Sequence, residues 1–280
     1  MKGGEEMKKV LTIAGSDSCG GAGIQADLKA FSANGVYGMS VIAAITAQNT
    51  QGVFAVQDID EEIIKAQIDA IFTDIEVDAV KIGMVSIAST INAISHKLQQ
   101  YKAQRIVLDP VMISKSGYAL LKPEAKSALI KNLVPYAYVI TPNIPEALEI
   151  LKEVGSKIKV IETVEQMEAG AKEIYKLGCK NVLLKGGHME GEAVDVLYDG
   201  KELTYFHSER IPTKNTHGTG CTLSSAIAAN LALGCSIKEA VSRAKQYITT
   251  AIEHSLDIGH GCGPTHHFYE LYKKGGLLND

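Results

Sequence analysis

Short runs of β-branched and apolar residues alternate along this chain with stretches whose apolar positions recur every three or four residues. The runs 10–15, 41–47, 79–83, 105–110, 138–142 and 181–186 read as buried strands, and the segments near 22–34, 60–73, 87–100, 122–133, 143–153 and 163–177 carry helical spacing between them. Such alternation predicts βαβ units with right-handed crossovers, hence a mostly parallel sheet covered by helices on both faces. Residues 193–211 differ, because two alternating runs flank Asp199-Gly200 and so predict a hairpin added at the sheet edge. A small-residue helix beginning near Cys221 and a longer one from about 236 to 255 complete the pattern. No linker or repeat interrupts it, so one domain over 7–274 is expected, with residues 1–6 as an N-terminal extension and Met7 as an alternative start.

Composition narrows the class without changing this picture. The 280 residues are 46% hydrophobic and 21% charged, enough to bury a large core. A net charge of −4 and the lack of a dense Lys/Arg tract argue against a nucleic-acid or membrane-surface partner. The apolar runs are too short to span a bilayer and no secretory pattern opens the chain, so a soluble, cytoplasmic protein is expected. Five cysteines, at 19, 179, 221, 235 and 262, form no CxxC pair, as expected of reduced thiols.

Candidate chemistry crowds the carboxyl ends of the expected strands, where open α/β sheets bind ligands. The strands end in Gly15-Ser16-Asp17, Gln48-Asn49-Thr50, Gly83-Met84, Asp109-Pro110-Val111, Thr141-Pro142-Asn143 with Glu146 a turn later, and Lys185-Gly186-Gly187. Each alone is an ordinary strand-terminating turn; the full row predicts a shared site. The octet 215–222, Asn-Thr-His-Gly-Thr-Gly-Cys-Thr, runs directly into the small-residue helix and reads as an anion hole. Gly218 and Gly220 let consecutive amides turn into one concavity, and the helix N-terminus adds its free N–H groups and positive dipole end. Cys221 in that first turn would have its thiolate stabilised by the same dipole, and could then accept a proton from a substrate hydroxyl near neutral pH. The competing reading is a glycine turn capping a helix over a packed Cys.

Other motifs carry less. Gly21-Ala22-Gly23-Ile24-Gln25-Ala26 matches a dinucleotide-binding pattern, but it does not follow its strand at once, and the next strand ends in Gln48 rather than a ribose-binding acid. It is expected to frame a substrate pocket instead, with Asp27 one turn into the helix. His260, Cys262, His266 and His267 fit no zinc spacing and read as a C-terminal loop, and Lys273-Lys274-Gly275-Gly276 reads as a frayed tail. For His188 and His217, beside glycine turns, a pocket-rim role and a simple cap stay open.

These motifs together resemble a known family. The element Asn143-Ile144-Pro145-Glu146 with the Gly218-Thr219-Gly220-Cys221 turn is similar to the ribokinase-fold kinases. The segment 11–50, Lys81-Ile82-Gly83-Met84, Leu108-Asp109-Pro110-Val111-Met112, 140–147, 183–188 and 215–222 resemble the hydroxymethylpyrimidine and phosphomethylpyrimidine kinases of thiamin biosynthesis, in that order and from about Lys9 to His267. The resemblance implies a ribokinase-like three-layer αβα sandwich with a mostly parallel central sheet and a small edge hairpin. It implies ATP-dependent phosphorylation of 4-amino-5-hydroxymethyl-2-methylpyrimidine and then of its monophosphate, with ATP and Mg²⁺ required and a homodimer as the working form. Carried over by position, Gln48 would read the aminopyrimidine, since a side-chain amide both donates and accepts. Gly15, Asp27, Met84 and Val111 would complete the pocket. Lys185 with Asn143, Glu146 and Asp109 would bind ATP, and Asp109 and Glu146 would organise Mg²⁺ through water. Gly218, Thr219, Gly220 and Cys221 would form the catalytic turn, and the purine is expected between 207–216 and the helix around 240–247. Cys221 departs from the sugar kinases of the superfamily, which carry Asp there. Two alternatives stand beside this reading: a pyridoxal kinase of the same fold, and a non-catalytic pyrimidine sensor, against which the intact Asp109, Asn143, Glu146, Lys185 and Cys221 set argues.

Overall fold

The computed structural model describes residues 6–112, 120–187 and 193–278. His188 therefore lies outside the described residues, as does nearly all of the expected extension 1–6. All six predicted strands form, as β1 (Lys9–Asp17), β2 (Tyr37–Asn49), β4 (Ala79–Ile82), β5 (Ile106–Leu108), β6 (Val139–Ile140) and β7 (Val182–Leu184). The predicted hairpin is β8 (Ala193–Tyr198) with β9 (Leu203–Ser208). Pattern reading missed β3 (Gly52–Asp58), which pairs antiparallel with β2 and makes a second hairpin at the opposite edge. A signal for it was present: Asn49 folds its side chain back to accept from the Gln51 and Gly52 amides at 2.8 and 3.3 Å, an Asx turn between two apolar runs.

The helices are α1 (Gly23–Ala33), α2 (Glu61–Phe72), α3 (Ala88–Gln100), α4 (Pro123–Asn132), α5 (Ile144–Glu153), α6 (Val164–Tyr175), α7 (Thr219–Ala232), α8 (Ile237–Glu253) and α9 (Tyr269–Lys274). The last was not predicted; it takes up residues expected to fray. Residues of α5, α6 and α8 are started by reciprocal capping boxes, Asn143 with Glu146, Thr163 with Gln166 and Ser236 with Glu239, which satisfy free amides at each N-terminus.

One sheet of order β3-β2-β1-β4-β5-β6-β7-β8-β9 runs through the molecule, parallel from β2 to β7 and antiparallel at both ends. Successive strand residues point to opposite faces, and both faces are buried. Leu11, Ile13, Val80 and Ile82 pack with Ile64, Ile91 and Ile150 of the α2–α6 side. Val10, Ala79, Val107 and Leu183 pack with Phe31 of α1, Ala226 of α7 and Ala244 of α8 on the other. Helix α7 is nearly all small residues because it lies directly on the sheet with almost its whole length buried. This is a three-layer αβα sandwich with a mostly parallel central sheet and a hairpin at each edge.

Candidate active site

Every parallel strand delivers its C-terminal end to one cleft of about 1160 Å³, larger than the usual pocket for a single small ligand. Gly15, Gln48, Met84, Asp109, Val111, Asn143, Glu146 and Lys185 all line it, as do Gly218, Thr219, Gly220 and Cys221. The row of strand-end residues is therefore one site, as the sequence predicted.

At one end the side chains are charged and oxygen-rich. Lys185 Nζ lies 3.1 Å from Asp109 Oδ1, which also accepts from Thr141 Oγ1 at 3.1 Å, while Ser224 of α7 donates to Asp109 Oδ2 at 3.3 Å. Burial opposes the charge on Asp109, yet Lys185 and Lys81 outweigh it and hold its carboxyl below the usual range. Lys185 in turn is raised, since Asp109 and Glu146 more than offset its desolvation. Glu146 behaves in the opposite sense: burial, reinforced by the Asp109 charge, pushes it up to about 7 against the pull of Lys185. Its Oε2 accepts from the Asn143 amide at 2.8 Å, and Asn143 Oδ1 accepts from the Glu146 amide at 2.9 Å. The N-x-x-E element is thus a helix cap first, and the cap is what aims both side chains at the cleft.

The glycine turn meets this charged end. Gly218 has φ of 79°, the left-handed conformation that glycine tolerates, and starts α7; the Thr219 amide donates to the Thr216 carbonyl at 3.3 Å, and the Gly220 and Cys221 amides follow in the first turn at the cleft wall. A side-chain carbon at Gly220 would sit 3.6 Å from both Lys185 Nζ and Asp109 Oδ2, so only backbone separates the amides from the lysine. A side chain at Gly218 would collide with the Gly21 carbonyl, and one at Gly21 with the His217 ring. The two glycine loops interlock, and the loop 20–23 frames the pocket as expected.

At the other end the apolar Met84 and Val111 share the wall with the polar side chains of Thr46, Gln48 and His217. Gln48 Oε1 is 3.1 Å from the Thr46 hydroxyl and its Nε2 is 3.4 Å from His217 Nε2. Met84 lies over Gly15, where a side-chain carbon would come within 2.6 Å of the methionine Cε, the free end of a flexible side chain that would have to shift.

Three sequence expectations are corrected here. Asp27 does not line the cleft: it is fully buried beneath it, bound by both oxygens to fully buried Lys81 at 2.9 Å and also accepting from Thr12 and Ser225 at 2.6 and 2.7 Å. It joins β1, β4, α1 and α7, which explains an acid on the inner face of a helix. The Cys221 thiol is not lowered by the helix dipole; burial pushes it up to about 11, Lys81 pulling it down less than burial, Asp27 and Asp109 push it up. Of the α8 stretch expected beside the purine, 240–247, only Lys245 lines the cleft, with Ile248, Thr249 and Ile252 beyond it, because Ala240, Val241 and Ala244 turn into the core. Apolar Ile211, Leu223, Ile248 and Ile252 flank this stretch of the cleft, with Lys245 held by Asp195 at 2.8 Å.

Sequence reading also missed the pair that ties the loops together. Asp17 Oδ2 lies 2.8 Å from His217 Nε2 and accepts from the Gly21 and Ala22 amides at 3.0 and 2.8 Å. Burial would raise Asp17, but these bonds hold it at about 2. The histidine is more than a cap, since it lies on the cleft wall beside Gln48. The C-terminal histidines bring no metal cluster among the described residues; His267 Nε2 pairs with Thr222 Oγ1 at 2.9 Å behind the turn.

Comparison with known proteins agrees with this geometry. A family profile described as phosphomethylpyrimidine kinase matches residues 17–266. The chain is 54% identical over 266 residues to a hydroxymethylpyrimidine/phosphomethylpyrimidine kinase of Rhizobium meliloti (strain 1021), covering 94% of this chain and 98% of that one. Among solved structures, it resembles a phosphomethylpyrimidine kinase from Clostridium difficile 630 at 57% identity and TM-score 0.77, over 88% of this chain and 99% of that chain. It also resembles a Bacillus subtilis pyridoxal kinase in complex with ADP, at 41% identity and TM-score 0.86, over 95% and 99% of the two chains.

Proposed function

The chain belongs to the phosphomethylpyrimidine kinase family, and we infer from this premise that it transfers the γ-phosphoryl group of ATP to 4-amino-5-hydroxymethyl-2-methylpyrimidine and then to the monophosphate, in thiamin biosynthesis. The observation that carries the reading is what one cleft gathers: Lys185 with the Gly220 and Cys221 amides, and with them Gln48 and the apolar Met84 and Val111.

Roles follow from the chemistry. The pyrimidine ring lies on Met84 beside Val111 and Gly15, with Gln48 donating to a ring nitrogen and accepting from the amino group. ATP extends from the apolar slot of Ile248 and Ile252 toward Lys185, which Asp109 and Asn143 orient. In a loose transition state the negative charge spreads over the transferring oxygens, and the Gly220 and Cys221 amides with Lys185 stabilise it without reorganising. Cys221 contacts the attacking hydroxymethyl oxygen as a neutral thiol.

Mg²⁺ fits the donor set. Asp109 and Glu146 are hard oxygen ligands facing the phosphate end, and Glu146, which burial leaves ready to hold a proton, is a carboxyl that an added cation would ionise. They would hold the ion through water and phosphate oxygens, where it supplies charge neutralisation. The working form is a homodimer, supported by Ile45 at 50% and Phe54 at 67% exposure on the edge hairpin. A single domain over 7–274 is supported by the continuous sheet. A cytoplasmic location is in keeping with helices none of which, among the described residues, is long and apolar enough to cross a membrane.

A second reading, pyridoxal kinase, is favoured by the likeness to the Bacillus subtilis protein of that name. Turnover of Mg-ATP with the pyrimidine alcohol, its monophosphate and pyridoxal side by side separates the two. The pyrimidines are expected to give the higher kcat/KM; equal or higher kcat/KM for pyridoxal would replace the assignment.

A further inference from the structure

On the cleft wall, three side chains of different chemistry converge on one point to which the phosphoryl transfer assigns no role. Ligand atoms of Asp17, Cys19 and His217 all lie within 4.8 Å of one another. Cys19 Sγ is 3.5 Å from Asp17 Oδ2, and His217 Nε2 is 2.8 Å from the same oxygen. We propose that Asp17, Cys19 and His217 form a site for a borderline-soft divalent cation of the Zn²⁺ or Co²⁺ type, and that filling it inhibits the enzyme.

The distances suit such an ion. Metal–sulfur and metal–oxygen bonds of about 2.3 and 2.0 Å at a near-tetrahedral angle put sulfur and oxygen about 3.5 Å apart, the separation found. The nitrogen and oxygen would need about 3.3 Å, so the His217 ring has to withdraw by about 0.5 Å. The Gly21 and Ala22 amides donate to Asp17 Oδ2 and the Cys19 amide to Oδ1 at 3.0 Å, which fixes the carboxylate, and an ion on Oδ2 displaces one of those amides as well as the His217 contact. Cys19 is exposed, which leaves an entry path and an open fourth position for water. Thiolate and imidazole ligands discriminate against Mg²⁺, so millimolar Mg-ATP does not compete for the spot.

Proton balance is simple. Coordination replaces the proton shared between His217 and Asp17; that proton moves to the other ring nitrogen, and the Cys19 thiol proton leaves to solvent, one per ion bound. The cost falls on substrate binding. His217 belongs to the turn that carries Gly218 and stands 3.4 Å from Gln48, so moving its ring off Asp17 disturbs the amide that reads the pyrimidine.

The test uses the reduced full-length protein and needs no turnover for its first readout, so its failure is distinguishable from failure of the kinase assignment. Titration with Co²⁺ alone is expected to give tetrahedral d–d bands with a thiolate charge-transfer band at one equivalent. The bands are lost in Cys19→Ser and kept in Cys235→Ser, whose cysteine follows the far end of α7. Zn²⁺ is expected to inhibit the wild type by raising the pyrimidine KM. Cys19→Ser, with basal turnover unchanged, should need at least about 10-fold more Zn²⁺, the lower end of what losing even a supporting partner costs a metal site. Bands that persist in Cys19→Ser, or no thiolate band in the wild type, overturn the site. Equal Zn²⁺ sensitivity of wild type and Cys19→Ser overturns its inhibitory role.

Discussion

Cys221→Ala is expected to keep at least about a tenth of the wild-type kcat, a small loss for the side chain nearest the phosphate turn. The magnitude comes from burial. A thiol raised to about 11 is ionised in about one molecule in 10⁴ at neutral pH, so ionising it first costs about 5 kcal/mol. A positioned general base contributes about 10²–10⁴ in rate, which that cost cancels or exceeds. The Gly220 and Cys221 amides and Lys185 survive the substitution, and a loose transition state needs little proton abstraction. The assay is steady-state kcat for wild type, Cys221→Ala and Cys221→Ser from about pH 7 to 9, with folding checked by thermal melts. A flat wild-type profile is expected across that window. A climb of about 10-fold per pH unit toward the thiol pKa, together with a loss of about 10²–10⁴ in Cys221→Ala, would refute the reasoning and make the thiolate the base.

Asp27→Asn should strip Lys81 of its buried counter-charge and destabilise the fold by about 3–5 kcal/mol, which at about 2–4 °C per kcal/mol lowers Tm by roughly 6–20 °C while the pyrimidine KM of folded protein stays put. A normal Tm with a raised KM would return Asp27 to the pocket. Gln48→Ala should cost about 1–3 kcal/mol in kcat/KM for the pyrimidines and leave ATP affinity intact, measured by nucleotide titration. Glu146 keeps its proton up to about 7 in the folded chain but only to 4.5 unfolded; the native state therefore holds more protons in that window, and stability without Mg²⁺ should fall as pH rises through it. Denaturant unfolding of Glu146→Gln should show a shallower fall, and an unchanged one would sink the assignment. Phe54→Glu on the edge hairpin should give monomers in sedimentation, whereas an unaltered dimer would move the interface elsewhere.

The order of strands and helices was legible in the sequence because period-2 and period-3.6 patterns are local properties of the chain, and predicted helices such as 60–73 and 163–177 fall within two residues of α2 and α6. Glycine turns and strand-end polar residues were equally legible, since steric freedom at Gly218 and the reach of Lys185, Asp109 and Gln48 belong to the residues themselves. Strand β3 was legible only at its Asn49 turn, for its largely exposed residues gain order by pairing with β2. Nor could the chain as a string reveal that Asp27 turns to Lys81, 54 positions away, or that Asp17 meets His217 across 200. The same holds for the Cys221 thiol. Its place at a helix start is written in the sequence and suggests a lowered pKa, but whether a charge is welcome depends on the water excluded and the carboxylates gathered around it, and those are set only when β1, β4, β5, α1 and α7 close on one another.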